Sequence, residues 1–347
     1  MMQIVRRLLS NPLFFLRGLC IGSLLVFASA AQAAWEPTKS ITFVVTGGAG
    51  GGADQMARLI QGIVSKYHIS KQPIIVVIQN GGGGGQGFLD IKNSPGDAHK
   101  ISIVLSNLYS VPLSTGLPFN WRDTTPVALM ALDQFVLWVN SQSPYKTAKD
   151  YIAAVKASPG TFKMGGAGSK REDEIVTAVI EHATGTKFTF IPYKGGGEIS
   201  TQLVGGHIDS DVNNPIEHIS HWRAGQVRPL CVFDTQRMPF KEKVTETMSW
   251  NDIPTCRESG IDADYLMLRG IIMPKGVTAD QREYYVNLLR QVREKPEWKE
   301  FVNKGAYKDT FLVGSEFTKF LEQDELRHQD IMKKADFLAQ GSAAPAK

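Results

Sequence analysis

Short apolar runs alternate along this chain with stretches whose apolar positions recur at helical spacing. Ile41 to Val45 is an apolar run interrupted only by Thr42, and Gln55 to Tyr67 follows with a 3.6-residue period. The same alternation continues through strands at Pro73–Ile78, Ile101–Leu105 and Phe135–Val139, then a helix at Tyr151–Ala157 closed by Ser158-Pro159-Gly160. A short strand at Thr161–Met164 precedes a helix over Lys170–Ala183, and strands at Lys187–Tyr193 and Ile208–Asn214 flank a helix at Ile199–Val204. The last third reads as one strand, Tyr265–Met273, and three helices, with Thr278 and Gln281 capping the first, Pro296 opening the second and Ser315 capping the last. Strands regularly interleaved with helices predict an α/β fold.

Glycines stand where strands hand over to helices. Gly47 to Asp54 (GGAGGGAD) carries five of them between the first strand and its helix, with Asp54 as the expected N-cap. A second run, Gly81 to Gly85 with Gly87, follows Asn80 at the end of the next strand. A third, Gly165-Gly166-Ala167-Gly168-Ser169, leads to a helix for which Ser169 and Glu172 form an S-x-x-E capping box. Backbone N–H groups in such loops approach an anion closely, and the helix N-terminus behind adds orphan donors and a partial positive charge. Two loops of this kind in separate halves of the chain predict a two-part anion site. Gly195 to Gly197 and Gly205-Gly206 read equally well as simple turns. Of Lys170 and Arg171, one is expected to point at the pocket, the other to solvent.

Charge has to be read after the first 33 residues are set aside. Arg6, Arg7 and Arg17, an apolar stretch from Leu19 to Ala31, and Ala31-Gln32-Ala33 form a secretory leader with cleavage expected before Ala34. Removing its three arginines lowers the formal +4 to +1, and no basic tract interleaved with aromatics remains to bind nucleic acid. Roughly 310 residues suffice for two domains. Cys231 and Cys256 survive processing, and an oxidising compartment permits either a bridge between them or a buried free thiol at Cys231.

Most catalytic readings fail on a missing part. Gly48 to Ala53 fits G-x-G-x-x-A, but the second strand ends in Gln79-Asn80 instead of the acid that would hold a ribose. No Gly-Lys-Ser/Thr follows the glycines, and no G-x-S-x-G elbow is present. Glu217, His218 and His221 share helical spacing without a third metal ligand, and a solvated helix face accounts for them. No cofactor, metal or catalytic residue is expected.

The order of motifs resembles one family across essentially the whole mature chain. A leader, a strand into G-G-x-x-D, an Asn-plus-glycine loop, a G-x-G-S loop, Arg122-Asp123-Thr124-Thr125-Pro126, Ile191-Pro192-Tyr193-Lys194-Gly195, Leu203 to Asp209 and Ile253-Pro254-Thr255-Cys256 are similar to the solute receptors of tripartite tricarboxylate transporters. The resemblance implies a two-lobed, type II-like periplasmic binding protein, each lobe a mixed sheet flanked by helices, with the ligand in the cleft between them. It implies lobes at residues 34–132 plus 256–335 and 133–255, a C-terminal tail at 336–347, and a monomer. The implied ligand is a small tricarboxylate, dicarboxylate or aromatic carboxylate, passed on to membrane subunits of the transporter. A sensor that signals to a kinase is the alternative, and an exported enzyme a third. Carried onto this chain, the site comprises Gly47, Gly48, Ala49, Gly50 and Gly51 of one loop and Ala167, Gly168, Ser169 and Lys170 of the other, with Asn80, Ser106, Asn107, Asn213 and Asn214 near the cleft. The family's Pro-Phe and following Pro are replaced here by Thr46, Gly47 and Ala49, and its Arg-Pro by Gly81-Gly82, which predicts a more open entrance.

Overall fold

A computed structural model describes residues 35–340; the leader at 1–33 and the end of the tail at 341–347 lie outside the described residues. In chain order the elements are β1 (Ile41–Val45), α1 (Gly52–Lys66), β2 (Ile74–Ile78), α2 (Gly85–Lys92), β3 (Lys100–Val104), α3 (Asn107–Thr115) and β4 (Thr124–Gln134). Then come β5 (Val136–Asn140), α4 (Ala148–Ala157), β6 (Lys163–Ala167), α5 (Glu172–Thr184), β7 (Thr189–Tyr193), α6 (Gly196–Val204), β8 (Ser210–Asn213), α7 (Pro215–Arg223) and β9 (Val227–Val232). The chain closes with β10 (Leu266–Pro274), α8 (Ala279–Glu294), α9 (Pro296–Lys304), β11 (Leu312–Val313) and α10 (Gly314–Lys334).

Two mixed sheets result, each flanked by helices. The first has the order β11-β4-β10-β3-β1-β2 and the second β7-β6-β8-β5-β9. In the first, β1 runs parallel to β2 and β3, so Val45 pairs with both Ile78 and Ile103 and the three carboxyl ends share an edge. In the second, β6 is parallel to β7 and β8, with Ala167 beside Tyr193 and Gly165 beside Asp211. Loops that leave the carboxyl ends of parallel strands are where open α/β sheets place their sites. The chain passes from one sheet to the other at Gln134-Phe135 and returns after β9 to form β10, the antiparallel partner of β3 and β4.

Each sheet buries its own apolar set. Val44, Phe88, Ile91, Val104, Leu108, Leu129, Leu268 and Phe317 pack on the first. On the second, Trp138, Trp222 and Trp250 pack edge to face or tilted at 4.7–6.3 Å. Aromatic pairs at such distances add about 1 kcal/mol each beyond area burial. Cys231, at the end of β9, is bonded to Cys256, which settles in favour of the bridge.

Three caps differ from expectation. The first turn of α1 starts at Gly52 after Gly51, so Asp54 lies inside the helix and accepts the Gly50 N–H at 2.9 Å. Ser169 and Glu172 form no capping box: α5 begins at Glu172 behind Arg171, and Ser169 Oγ donates to Glu174 instead. Gly314, not Ser315, opens α10. Thr278 and Gln281 do form their reciprocal cap. Helices α2 and α3 form where the sequence pattern marks no element, because buried Phe88, Ile91, Leu108 and Val111 anchor segments whose Gly, Ser and Pro content disfavours a helix in isolation.

Candidate functional site

Loops from the carboxyl ends of both sheets meet over a cavity of about 40 Å³. From the first sheet it is lined by the β1–α1 loop, Leu105, Met267 and Arg269; from the second by Ala167, Arg171 to Asp173, Lys194 to Gly196, Asn213, Asn214 and Glu217. The loops touch backbone to backbone. A Cβ on Gly48 would stand 2.5 Å from the Lys194 carbonyl oxygen, and one on Gly195 would stand 3.6 Å from Gly48 Cα. Only glycine permits that approach at position 48. Gly196 is held to the same choice by Glu217, whose Oε2 would lie 1.8 Å from its Cβ.

Five backbone donors around this cavity already hold carboxyl groups. Gly52 N–H donates to Glu217 Oε1 at 2.7 Å, and Asn107 N–H donates to Glu172 Oε1. On the second sheet, Ala167 N–H donates to Asp173 Oδ2 at 2.7 Å, Lys170 N–H to Glu174, and Lys194 N–H to Glu198 at 3.0 Å. The sequence explains the crowding: Glu172, Asp173 and Glu174 fill the first turn of α5, and Glu217 the first turn of α7, where the helix dipole favours acids.

Cations sit close by but are mostly paired. Arg269 on β10 is buried against Asp133 on β4, with Nε donating to Oδ2 at 2.9 Å and Nη2 to the same oxygen. Burial works against the guanidinium's charge, but Asp133 beside it prevails and holds its pKa above the ordinary value. Arg171 Nε donates to Glu172 Oε2 at 3.2 Å. Burial pushes the Glu217 carboxyl up to about 7, against the pull of Arg269 and the Gly52 N–H. It pushes Asp173 well above the usual carboxylate range too, against the Ala167 N–H. The cavity therefore presents backbone donors, two carboxyls that resist ionisation, and Lys194. Among the described residues no cluster of His, Cys, Asp and Glu suits a metal ion. Nothing here resembles a nucleophile with its base.

Comparison with known proteins decides what kind of molecule this is. Residues 56–337 match the model of the tripartite tricarboxylate transporter family receptor, TctC. The chain belongs to this family. Its members are the receptors of a transporter, binding proteins and not enzymes. A UPF0065 protein in the gbd 5' region of Cupriavidus necator is 26% identical over 310 residues, covering 88% of this chain and 90% of that one. In structure, Rpa4515 of R. palustris, solved with adipate, superposes with a TM-score of 0.79 at 20% identity, over 86% of this chain and 98% of that one. MatC of Rhodopseudomonas palustris, solved with malate, gives 0.74 at 20% identity, over 85% and 99%. These two likenesses show the fold. Among the described residues no helix is long and apolar enough to cross a membrane.

Within this TctC-family receptor, Gly47, Gly48, Gly51, Ala167, Asn213 and Asn214 line the cavity. Ala49 and Gly50 lie outside its lining on the exposed outer face of their loop, as does Ser169 on the other side. Gly168 and Lys170 also fall outside the lining, and of the two basic neighbours it is Arg171 that reaches the pocket. Asn80 stands before the short 3-10 turn over Gly81–Gly84, where its backbone carbonyl accepts from Gly84 N–H at 3.1 Å and its side chain makes no cap bond. Ser106 and Asn107 are buried behind Glu172, where Asn107 Nδ2 donates to the Gly83 carbonyl at 2.8 Å. Asn213 and Asn214 use their amides structurally, on the Gly196 and Gln134 carbonyls at 3.0 and 2.7 Å.

Glu217 and His218 do not sit on a solvated face. Glu217 points into the cavity, and His218 is fully buried with Nε2 2.9 Å from Asp211 Oδ2. Glu172, Asp173, Lys194, Gly195, Gly196 and Arg269 were also missed. The Lys194-Gly195-Gly196 loop had a usable signal, a fourth strand-to-helix glycine run. Arg269, inside an apolar strand, had one as well, since a charge in a buried strand requires a partner.

Proposed function

We propose that this receptor binds a small organic carboxylate in the periplasm and passes it to the membrane subunits of a tripartite tricarboxylate transporter. The observation that carries the reading is that Gly52 N–H and Asn107 N–H, at two helix N-termini beside the cavity, each already hold a carboxyl oxygen. Groups that seat the chain's own carboxyls have the right charge and direction for a ligand's. Family membership and the adipate and malate found in two proteins of the same fold support the same chemistry. Gly47 to Gly51 and Ala167 to Lys170 act as loops of opposite lobes, at 34–132 plus 256–335 and 133–255. The leader at 1–33 directs export.

Affinity follows from few contacts. A charge-assisted hydrogen bond contributes roughly 1.5–3 kcal/mol, so three or four sum to about −8 kcal/mol, a micromolar complex. Only contacts that differ between open and closed forms shift the equilibrium, so donors from both lobes are required. A thermal-shift screen of di- and tricarboxylates, aromatic carboxylates and acidic amino acids against neutral sugars tests this, because binding raises the melting temperature by mass action. Shifts confined to sugars or cations would refute it.

A further inference from the structure

Two donors on the cleft side of the first sheet are filled from the second. Gly52 N–H, in the first turn of α1, holds Glu217 of α7 at 2.7 Å. Asn107 N–H, at the start of α3, holds Glu172 of α5. Both acceptors are carboxyl groups at helix N-termini, where an anion is stabilised most. The remaining cavity, about 40 Å³, holds at most a few waters, since one water needs roughly 10–15 Å³. A ligand of several heavy atoms cannot enter while both glutamates are seated.

Behind Glu172 lies a second sign of an occupied site. Ser110 Oγ and Asn107 Oδ1, in the first turn of α3, are fully buried and have no hydrogen-bond partner among the described residues. Ser106 lies beside them, also at 0% exposure. A buried hydroxyl without a partner costs about 1–3 kcal/mol. Here such groups cluster at a helix N-terminus that Glu172 seals from the cavity.

We propose that Glu217 and Glu172 are internal ligands: in the empty receptor they occupy the carboxylate subsites at Gly52 and Asn107, and an incoming carboxylate binds by displacing them. This rests on the carboxylate reading above. Each glutamate also ties one sheet to the other, so the empty molecule closes on itself. Only the fraction with a freed subsite is competent, and the apparent affinity is reduced by that fraction. A displaced Glu172 keeps Arg171 as its partner. Lys194 is the lining cation available to a ligand's second charge.

The sign of one mutational effect tests this. Titration calorimetry of the mature receptor with succinate, butyrate and citrate compares the parent with Glu217→Gln and Glu172→Gln. A neutral amide competes less well for a backbone N–H than a carboxylate, so each variant should bind whichever acid the parent binds about five- to tenfold more tightly. In the ligand-free protein, amide exchange should quicken at Gly52 in Glu217→Ala and at Asn107 in Glu172→Ala, each without change at the other. Weaker or unchanged binding in both Gln variants would overturn the proposal, and weaker binding would make the glutamates ligand contacts. Unchanged exchange at both amides would overturn it even if a variant loses affinity through partial misfolding. Absence of binding by parent and variants to every acid would instead defeat the carboxylate reading itself.

Discussion

The two sheets satisfy the donors of their cleft-facing loops in opposite ways. On the second sheet the loops are capped from within: Asp173 takes Ala167 N–H, Glu174 takes Lys170 N–H and Glu198 takes Lys194 N–H, each within six residues. On the first sheet Gly50 N–H has Asp54 nearby, but Gly52 and Asn107 depend on side chains 165 and 65 residues away, across the cleft. Separating the sheets would strand two donors on one side and none of those three on the other. The ties made by these five donors are therefore asymmetric: two first-sheet N–H groups reach carboxyls across the cleft, and three second-sheet N–H groups are held within their own loops.

The largest effect should come from breaking the floor of the first wall. Arg269→Ala leaves Asp133 buried without its partner and should cost about 3–5 kcal/mol by denaturant unfolding. Next comes pH. The Glu217 carboxyl titrates near 7 in the native state against an ordinary 4.5, so the unfolded chain releases that proton first as pH rises. Glu217's contribution to stability should fall between pH 4.5 and 7 by about 2 kcal/mol after allowance for the side open to the cavity, and level off above. Glu217→Gln should remove that share of the slope and leave the part due to Asp173, as a pH series of unfolding curves would reveal. Gly48→Val attacks the contact between walls, since its Cβ meets the Lys194 carbonyl; ligand affinity should drop at least about tenfold, with a smaller change in unfolding midpoint. Ser169→Ala, which removes one exposed hydrogen bond to Glu174, should alter stability by less than about 0.5 kcal/mol and leave affinity unchanged.

Much of this frame could be read from periodicity. The strand Ile41–Val45, its helix and the glycine loop between them are local signals, and the structure returns β1 with the predicted bounds. The long β4 escaped notice because its polar ends, Thr124-Thr125-Pro126 and Asp133-Gln134, mask an apolar centre. The site was half legible. Gly47, Gly48, Gly51 and Ala167 announce themselves by composition, while Glu217 and Arg269 do not. A carboxyl on an amphipathic helix looks solvated unless the fold is known to bring a second glycine loop over it. Arg269 and Asp133 find each other across 136 residues, a separation that local pattern cannot bridge.

The Cys231–Cys256 bond gives the return crossing a second path. Residues 232–255 form a covalently closed ring hung on the second sheet, fastened also by the backbone bonds between Val232, Pro254 and Cys256. Tension between the two halves of the molecule runs through the sulfurs and bypasses this ring. A protease that nicked the ring at Lys241 or Lys243 would leave one connected molecule, separable into two pieces only after reduction.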